Sequence, residues 1–193
     1  MQIVLVSLEQ LLEHLETRTQ QEFTAAYPGA FLLAIGYVAV EDQQRRFHQP
    51  GGGKDQALTT AFSFGLQRRH QATPSHPLAG LAFFLQPTAP EQRTVTIGRS
   101  QNCQVTVPDE SVSELHCQLE VRQDGVHAVD LGSTNGTSVN LKQLAPGTPH
   151  LVADEDTLSV GRYSFQLLSA QTLYDALSLM QARDDFDQLD DDA

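Results

Sequence analysis

From Thr94 onward apolar and polar positions alternate with a period of two, the mark of strands that bury one face. Residues 94–97 place Val95 and Ile97 inward, and Cys103, Val105 and Val107 share a face. Cys117, Leu119 and Val121 oppose Gln118, Glu120 and Arg122 in the clearest half-buried strand of the chain. Asp124-Gly125 and Asn135-Gly136 supply turns, since these residue types accept positive φ at little steric cost. Residues 81–86, 126–131, 158–160 and 163–167 complete a series of short strands at regular spacing. Such a series predicts a mainly β fold, a two-sheet antiparallel β-sandwich.

The flanks follow other periods. Residues 3–6 read as a short strand, and Ser7 with Gln10 forms a capping box that opens a helix over 8–26, with Leu8, Leu11, Leu12 and Leu15 on one stripe. Tyr27-Pro28-Gly29 ends it. Residues 30–40 are dense in apolar side chains and read as a buried strand, 41–60 as a loop and 61–66 as another strand. Pro74 and Pro77 mark a boundary. After Ser169, a plausible N-cap, Leu173, Leu177 and Met180 return to helical spacing. The expected organisation is an N-terminal α/β accessory segment over 1–76, a sandwich domain over 77–169, a short C-terminal helix over 170–183 and an acidic tail over 184–193. Six aspartates in that tail predict a solvated, disordered end.

Composition narrows the functions. The chain has 193 residues, 40% hydrophobic and 19% charged, enough to bury a core without a staple. Its 24 acidic and 12 basic residues give a net charge of −12, which disfavours nucleic acid and anionic lipid as partners. Arg45-Arg46 and Arg68-Arg69-His70 are short doublets that read as loop charges. Cys103 and Cys117 lack metal or redox spacing and read as buried thiols in a reducing compartment. No secretory pattern follows Met1, and no apolar run is long enough to span a bilayer, so a soluble, cytoplasmic protein is expected. Gly51-Gly52-Gly53-Lys54 is followed by Asp55 rather than Ser or Thr, and reads as a flexible turn rather than a phosphate loop. The scattered histidines form no metal-ligand spacing, and no cofactor is expected.

The informative polar residues all fall where one strand hands over to the next: Gly98-Arg99, then 109–116, then 130–137, then Val139-Asn140. In a sandwich such positions gather at one end, where loops on a rigid scaffold carry binding function. Arg99 offers a planar fork of donors suited to phosphate, Ser113 and Thr134 offer hydroxyls, and Asn135 an amide that donates and accepts. One cation among neutral donors, with no paired base, describes an anion receptor rather than a hydrolase, so no enzyme is expected.

These motifs, in this order and spacing over about residues 78–169, resemble the forkhead-associated (FHA) domain, the phosphothreonine-recognition module. The resemblance implies an FHA-like sandwich of the SMAD/FHA type. It also implies that Arg99 and Ser113 bind phosphate, that Thr134 adds a contact and that Asn135 holds the ligand backbone. Gly98, His116, Gly136 and Asn140 would support the site, His116 by tying its loops together. The implied function is a phosphothreonine-peptide-binding adaptor in Ser/Thr-kinase-dependent signalling or complex assembly. Its partner would be a threonine-phosphorylated protein, a Ser/Thr kinase or that kinase's substrate.

Two positions depart from the family pattern. Glu114 stands where a basic residue is usual, and Leu141 where Gly is usual. A carboxylate at about 8 Å would oppose each unit of phosphate charge by roughly 0.5–2 kcal/mol. With Asp109 and Glu110 nearby, Glu114 predicts a preference for basic residues beside the phosphothreonine. It also raises a second reading, a module that assembles with partners without phosphate.

Overall fold

The computed structural model describes residues 2–37, 78, 81–86 and 94–191. Expected elements at 38–40, 41–60 and 61–66, the glycine turn at 51–54, the arginine doublets and the proline boundary lie outside the described residues. Among the described residues twelve strands form two sheets. The five-stranded sheet runs in the order β10 (His150–Val152), β7 (Gly125–Asp130), β6 (Cys117–Arg122), β4 (Thr94–Gly98) and β5 (Val105–Thr106). The seven-stranded sheet begins with β1 (Gln2–Ser7), β3 (Leu81–Gln86), β2 (Ala30–Tyr37) and β12 (Tyr163–Ser169). It ends with β11 (Thr157–Val160), β8 (Thr137–Val139) and β9 (Lys142–Gln143). Among the described residues every pairing is antiparallel except β4 with β5, which is parallel and leaves Gly98 opposite Thr106.

The N-terminal segment is part of this architecture. Strand β2 lies between β3 and β12, and β1 adds to the far side of β3. Leu32, Ala34, Phe83, Leu85, Phe165 and Leu167 point into the core between the sheets. Phe31, Leu33, Ala82, Phe84 and Leu168 point the other way, into a second core. These strands are covered on both faces, which is why 30–37 reads as a continuous apolar run rather than an alternating one.

Helices cover the outer face of the seven-stranded sheet. Leu11 and Leu15 of α1 (Leu8–Thr17), Phe23 of α2 (Gln20–Ala26), and Leu173, Leu177 and Met180 of α3 (Ala170–Asp191) all enter the second core. Phe31 and Phe84 stack with centroids 4.9 Å apart beneath Tyr27. Among the described residues no helix is long and apolar enough to cross a membrane.

The helices correct two expectations. Residues 8–26 form two helices because Arg18 is extended and Thr19 starts α2 with its own capping box to Glu22. At the C-terminus, α3 starts with the Ser169 hydroxyl accepting from the Thr172 amide and runs to Asp191. The expected boundary at 183 and the disordered tail are thus replaced by helix as far as 191. Extending an established helix adds a hydrogen bond per residue, and no Gly or Pro interrupts this stretch.

Candidate functional site

Strand β4 ends at Gly98 and delivers Arg99 into a turn. A Cβ on Gly98 would lie 2.3 Å from the Glu114 carbonyl oxygen and 2.9 Å from Cys103 Sγ, so only glycine admits this approach. The contact brings the turn after β4 against the 109–116 loop.

Successive carbonyls of that loop then hold the neighbouring segments. Ser111 O accepts from Asn135 Nδ2 at 2.8 Å, and Val112 O from Arg99 Nε at 3.3 Å. Ser113 O accepts from the Arg99 amide at 2.8 Å, and Glu114 O from the Ser100 amide at 3.1 Å. Arg99 is exposed and fixed at its backbone and Nε, and its terminal nitrogens meet no acceptor among the described residues. Beside it, Ser113 Oγ accepts from the Thr134 amide at 3.0 Å and donates to Thr134 Oγ1 at 3.4 Å.

Support comes from two buried side chains. His116 is fully buried; its Nδ1 accepts from the Ser113 amide at 3.0 Å and its Nε2 donates to Gly136 O at 3.1 Å. Burial pushes its imidazole pKa down, outweighing the Gly136 carbonyl and the Asp130 charge. Asp130 accepts from the amides of Gly132 and Ser133 at 2.9 and 3.1 Å and from the hydroxyls of Ser133 and Thr137, both at 2.6 Å. Burial raises its pKa, but these bonds prevail and hold the carboxyl below its ordinary range. Gly136 turns the chain with φ +76°, while Asn135 does not adopt positive φ.

The structure thus brings Arg99, Ser113, Thr134 and Asn135 together, with Gly98, His116 and Gly136 beneath them. Glu114 is exposed at the rim, its carbonyl also accepting from Cys103 Sγ at 3.3 Å. Asn140 lies apart, at the β8–β11 junction. It donates to Asp156 Oδ1 at 2.6 Å and accepts from the Thr157 amide at 3.0 Å, with φ 49°.

Asp109 is not where a ligand-selecting carboxylate would be. It is 8% exposed and paired with Arg162, whose Nε donates to Oδ1 and Oδ2 at 3.0 and 2.9 Å. It also accepts from the Ser111 amide and hydroxyl at 2.8 and 2.7 Å. Burial raises its pKa, but the bonds from Arg162 and Ser111 win and keep it low. Any acidic rim is therefore left to Glu110 and Glu114, both exposed. Asp130, Arg162 and Ser111 were not singled out from the sequence. Asp130 could have been, since an Asp two residues before a Gly, as in Asp130-Leu131-Gly132, is an Asx-turn pattern. Arg162 stands 53 residues from its partner and gives no local signal.

The chemistry available is that of an anion receptor. Both nitrogens of His116 are engaged with backbone, so His116 does not serve the Ser113 hydroxyl as a base. Cys103 and Cys117 are free and buried, and burial pushes the Cys117 thiol up to about 12, where it is inert. Among the described residues no cluster of His, Cys, Asp or Glu has metal-site geometry.

The family model for the FHA domain matches residues 95–161, the span that contains these loops. The chain is similar to the oxoglutarate dehydrogenase inhibitor of Corynebacterium efficiens, with 27% identity over 62% of this chain and 78% of that protein. It is similar to the FHA domain-containing protein FhaA of Mycobacterium tuberculosis, with 46% identity over 34% of this chain but only 12% of that protein. Among solved structures, the FhaA FHA domain complexed with the intracellular domain of Rv3910 is 28% identical with a TM-score of 0.40. That match covers 46% of this chain and 89% of the other.

Proposed function

Residues 95–161 are an FHA domain, and from that premise we propose that the protein is a phosphothreonine-peptide-binding adaptor. It takes part in Ser/Thr-kinase-dependent signalling or complex assembly in the cytoplasm and catalyses no reaction of its own.

The observation that carries this reading is the fixing of Arg99. Its Nε and backbone are tied to the carbonyls of Val112 and Ser113, which leaves the outer edge of the guanidinium to the ligand. A phosphate carries about −1.5 to −2 charge and three acceptor oxygens at neutral pH. Arg99 supplies a charge-assisted pair of donors to it, and the Ser113 and Thr134 hydroxyls complete the shell. A donor already held in place loses little freedom on binding. Asn135 keeps its carbonyl oxygen and one N–H for the ligand backbone while its other N–H remains on Ser111.

Two relatives are in keeping with a regulatory role, one named for inhibiting oxoglutarate dehydrogenase and FhaA, whose FHA domain was solved with a partner's intracellular domain. The test is titration of paired phosphorylated and unphosphorylated threonine peptides against the full chain and Arg99→Ala.

A further inference from the structure

The loops of the site extend mainly from strands of the five-stranded sheet: Arg99 follows β4, 109–116 lead into β6, and 131–136 leave β7. The Asp109–Arg162 pair comes from elsewhere, because Arg162 lies in the turn between β11 and β12 of the seven-stranded sheet. We propose that Arg162 is a positioning residue for phosphopeptide binding. By clamping Asp109 and Ser111 to the seven-stranded sheet, it sets the two carbonyls to which Asn135 and Arg99 are tethered. The proposal rests on the phosphothreonine reading of the site.

The chain of contacts is continuous. Arg162 grips both oxygens of Asp109 through Nε and adds a terminal nitrogen to Oδ2, while its backbone amide donates to Ser111 Oγ at 3.1 Å. The Tyr163 hydroxyl reaches Asp109 Oδ2 at 3.4 Å. Asp109 in turn takes the amide and hydroxyl of Ser111. Gly161 closes the other side: a Cβ there would stand 2.6 Å from both the carbonyl and the hydroxyl oxygen of Ser111. Ser111 is thus held at its amide, hydroxyl and carbonyl sides. Its carbonyl is the acceptor for Asn135, and the next carbonyl, of Val112, is the acceptor for Arg99.

The guanidinium is suited to this work because its planar fork fixes the orientation of a carboxylate as well as its position. Lysine at 162 would keep the charge and lose the orientation, so Asp109 and Ser111 would stay buried and paired but no longer be aligned. That separates positioning from the gross damage of leaving a buried carboxylate without a cation.

The experiment is a double-mutant cycle on the full chain, combining Arg162→Lys and Asn135→Ala, with a phosphothreonine peptide as ligand. It is joined to ¹⁵N NMR of the Asn135 side-chain amide without ligand. Arg162→Lys is expected to weaken phosphopeptide binding about tenfold, and the part of that loss carried by Asn135 rather than Arg99 to disappear when Asn135 is already Ala. In the ligand-free protein the Asn135 side-chain resonances move, while core amides such as those of Leu119 and Phe165 stay in place. Asp109→Asn moves the same resonances from the other partner. An unmoved Asn135 amide, or an equal loss of affinity in both backgrounds, would overturn the proposal. Failure of the wild type to bind the peptide contradicts the adaptor function itself, and the ligand-free spectrum still decides whether Arg162 positions Asn135.

Discussion

His116 joins Ser113 to Gly136 through one neutral imidazole, accepting from the Ser113 amide at 3.0 Å and donating to the Gly136 carbonyl at 3.1 Å. Only one tautomer does both. The two loops that flank the Arg99 guanidinium are therefore set by a ring that must stay uncharged, and its burial favours that state.

A pH dependence follows from that lowered pKa. The unfolded imidazole titrates near 6.5, so His116 contributes stability that is fully present above about pH 6.5. It is lost as pH falls through the lower folded value, because the unfolded chain takes up the proton first. Asp109 and Asp130 also have lowered pKa values, so they add a second acid limb that starts near the ordinary carboxyl range, about pH 3.9. Urea unfolding from pH 4 to 8 should show the upper limb in the wild type and lose it in His116→Gln. An unchanged slope in the variant would contradict the assignment.

Gly98→Ala tests the closest approach in the site. The added methyl meets the Glu114 carbonyl and Cys103 Sγ, neither of which is the far end of a flexible side chain. Overpacking of this kind costs roughly 1–3 kcal/mol. The variant should unfold at correspondingly lower denaturant and bind phosphopeptide more weakly, since the Arg99 and Ser113 segments are pushed apart.

Leu141→Gly should stabilise the protein. Leu141 is 69% exposed with φ 68°, a left-handed conformation that costs a non-glycine residue about 1–2 kcal/mol. Glycine removes that cost and returns about 0.4–1 kcal/mol of it through the freer unfolded chain. A net gain of roughly 0.5–1 kcal/mol is expected in chemical denaturation, and a loss would show that the exposed side chain packs in a way that matters.

These outcomes also mark what the amino-acid pattern could and could not reveal. The alternation in 94–167 led to a sandwich, and the unbroken apolar run from residue 30 to a buried strand. Helical spacing picked out Leu173, Leu177 and Met180, which enter the second core. The break at Arg18 was missed because the capping box at Thr19 competes with an uninterrupted helical period. The placement of β2 between β3 and β12 depends on pairing across more than a hundred residues, which no local pattern records. The site motifs are local and were readable, but the Asp109–Arg162 pair is not, so Asp109 looked like a free carboxylate. Leu141 departs from the usual glycine at a position whose backbone explains why glycine is usual.

Glu114→Gln should tighten phosphopeptide binding. The carboxylate is exposed at the rim beside Ser113, so solvent screens its repulsion of the phosphate to well under the buried value. A gain of about two- to fivefold at low salt, shrinking as salt is added, is expected from an interaction below about 1 kcal/mol. No change at low salt would place the carboxylate away from the ligand.

The most direct test of the central claim is calorimetric titration of one threonine peptide, phosphorylated and unphosphorylated, into the wild type and Arg99→Ala. The phosphorylated form should bind the wild type, the unphosphorylated form should not, and Arg99→Ala should lower affinity about 10- to 100-fold, as expected for lost charge-assisted hydrogen bonds. Its unfolding midpoint should stay close to that of the wild type, because Arg99 is exposed. Equal binding of both peptides, unaffected by the substitution, would contradict phosphothreonine recognition and favour assembly without phosphate.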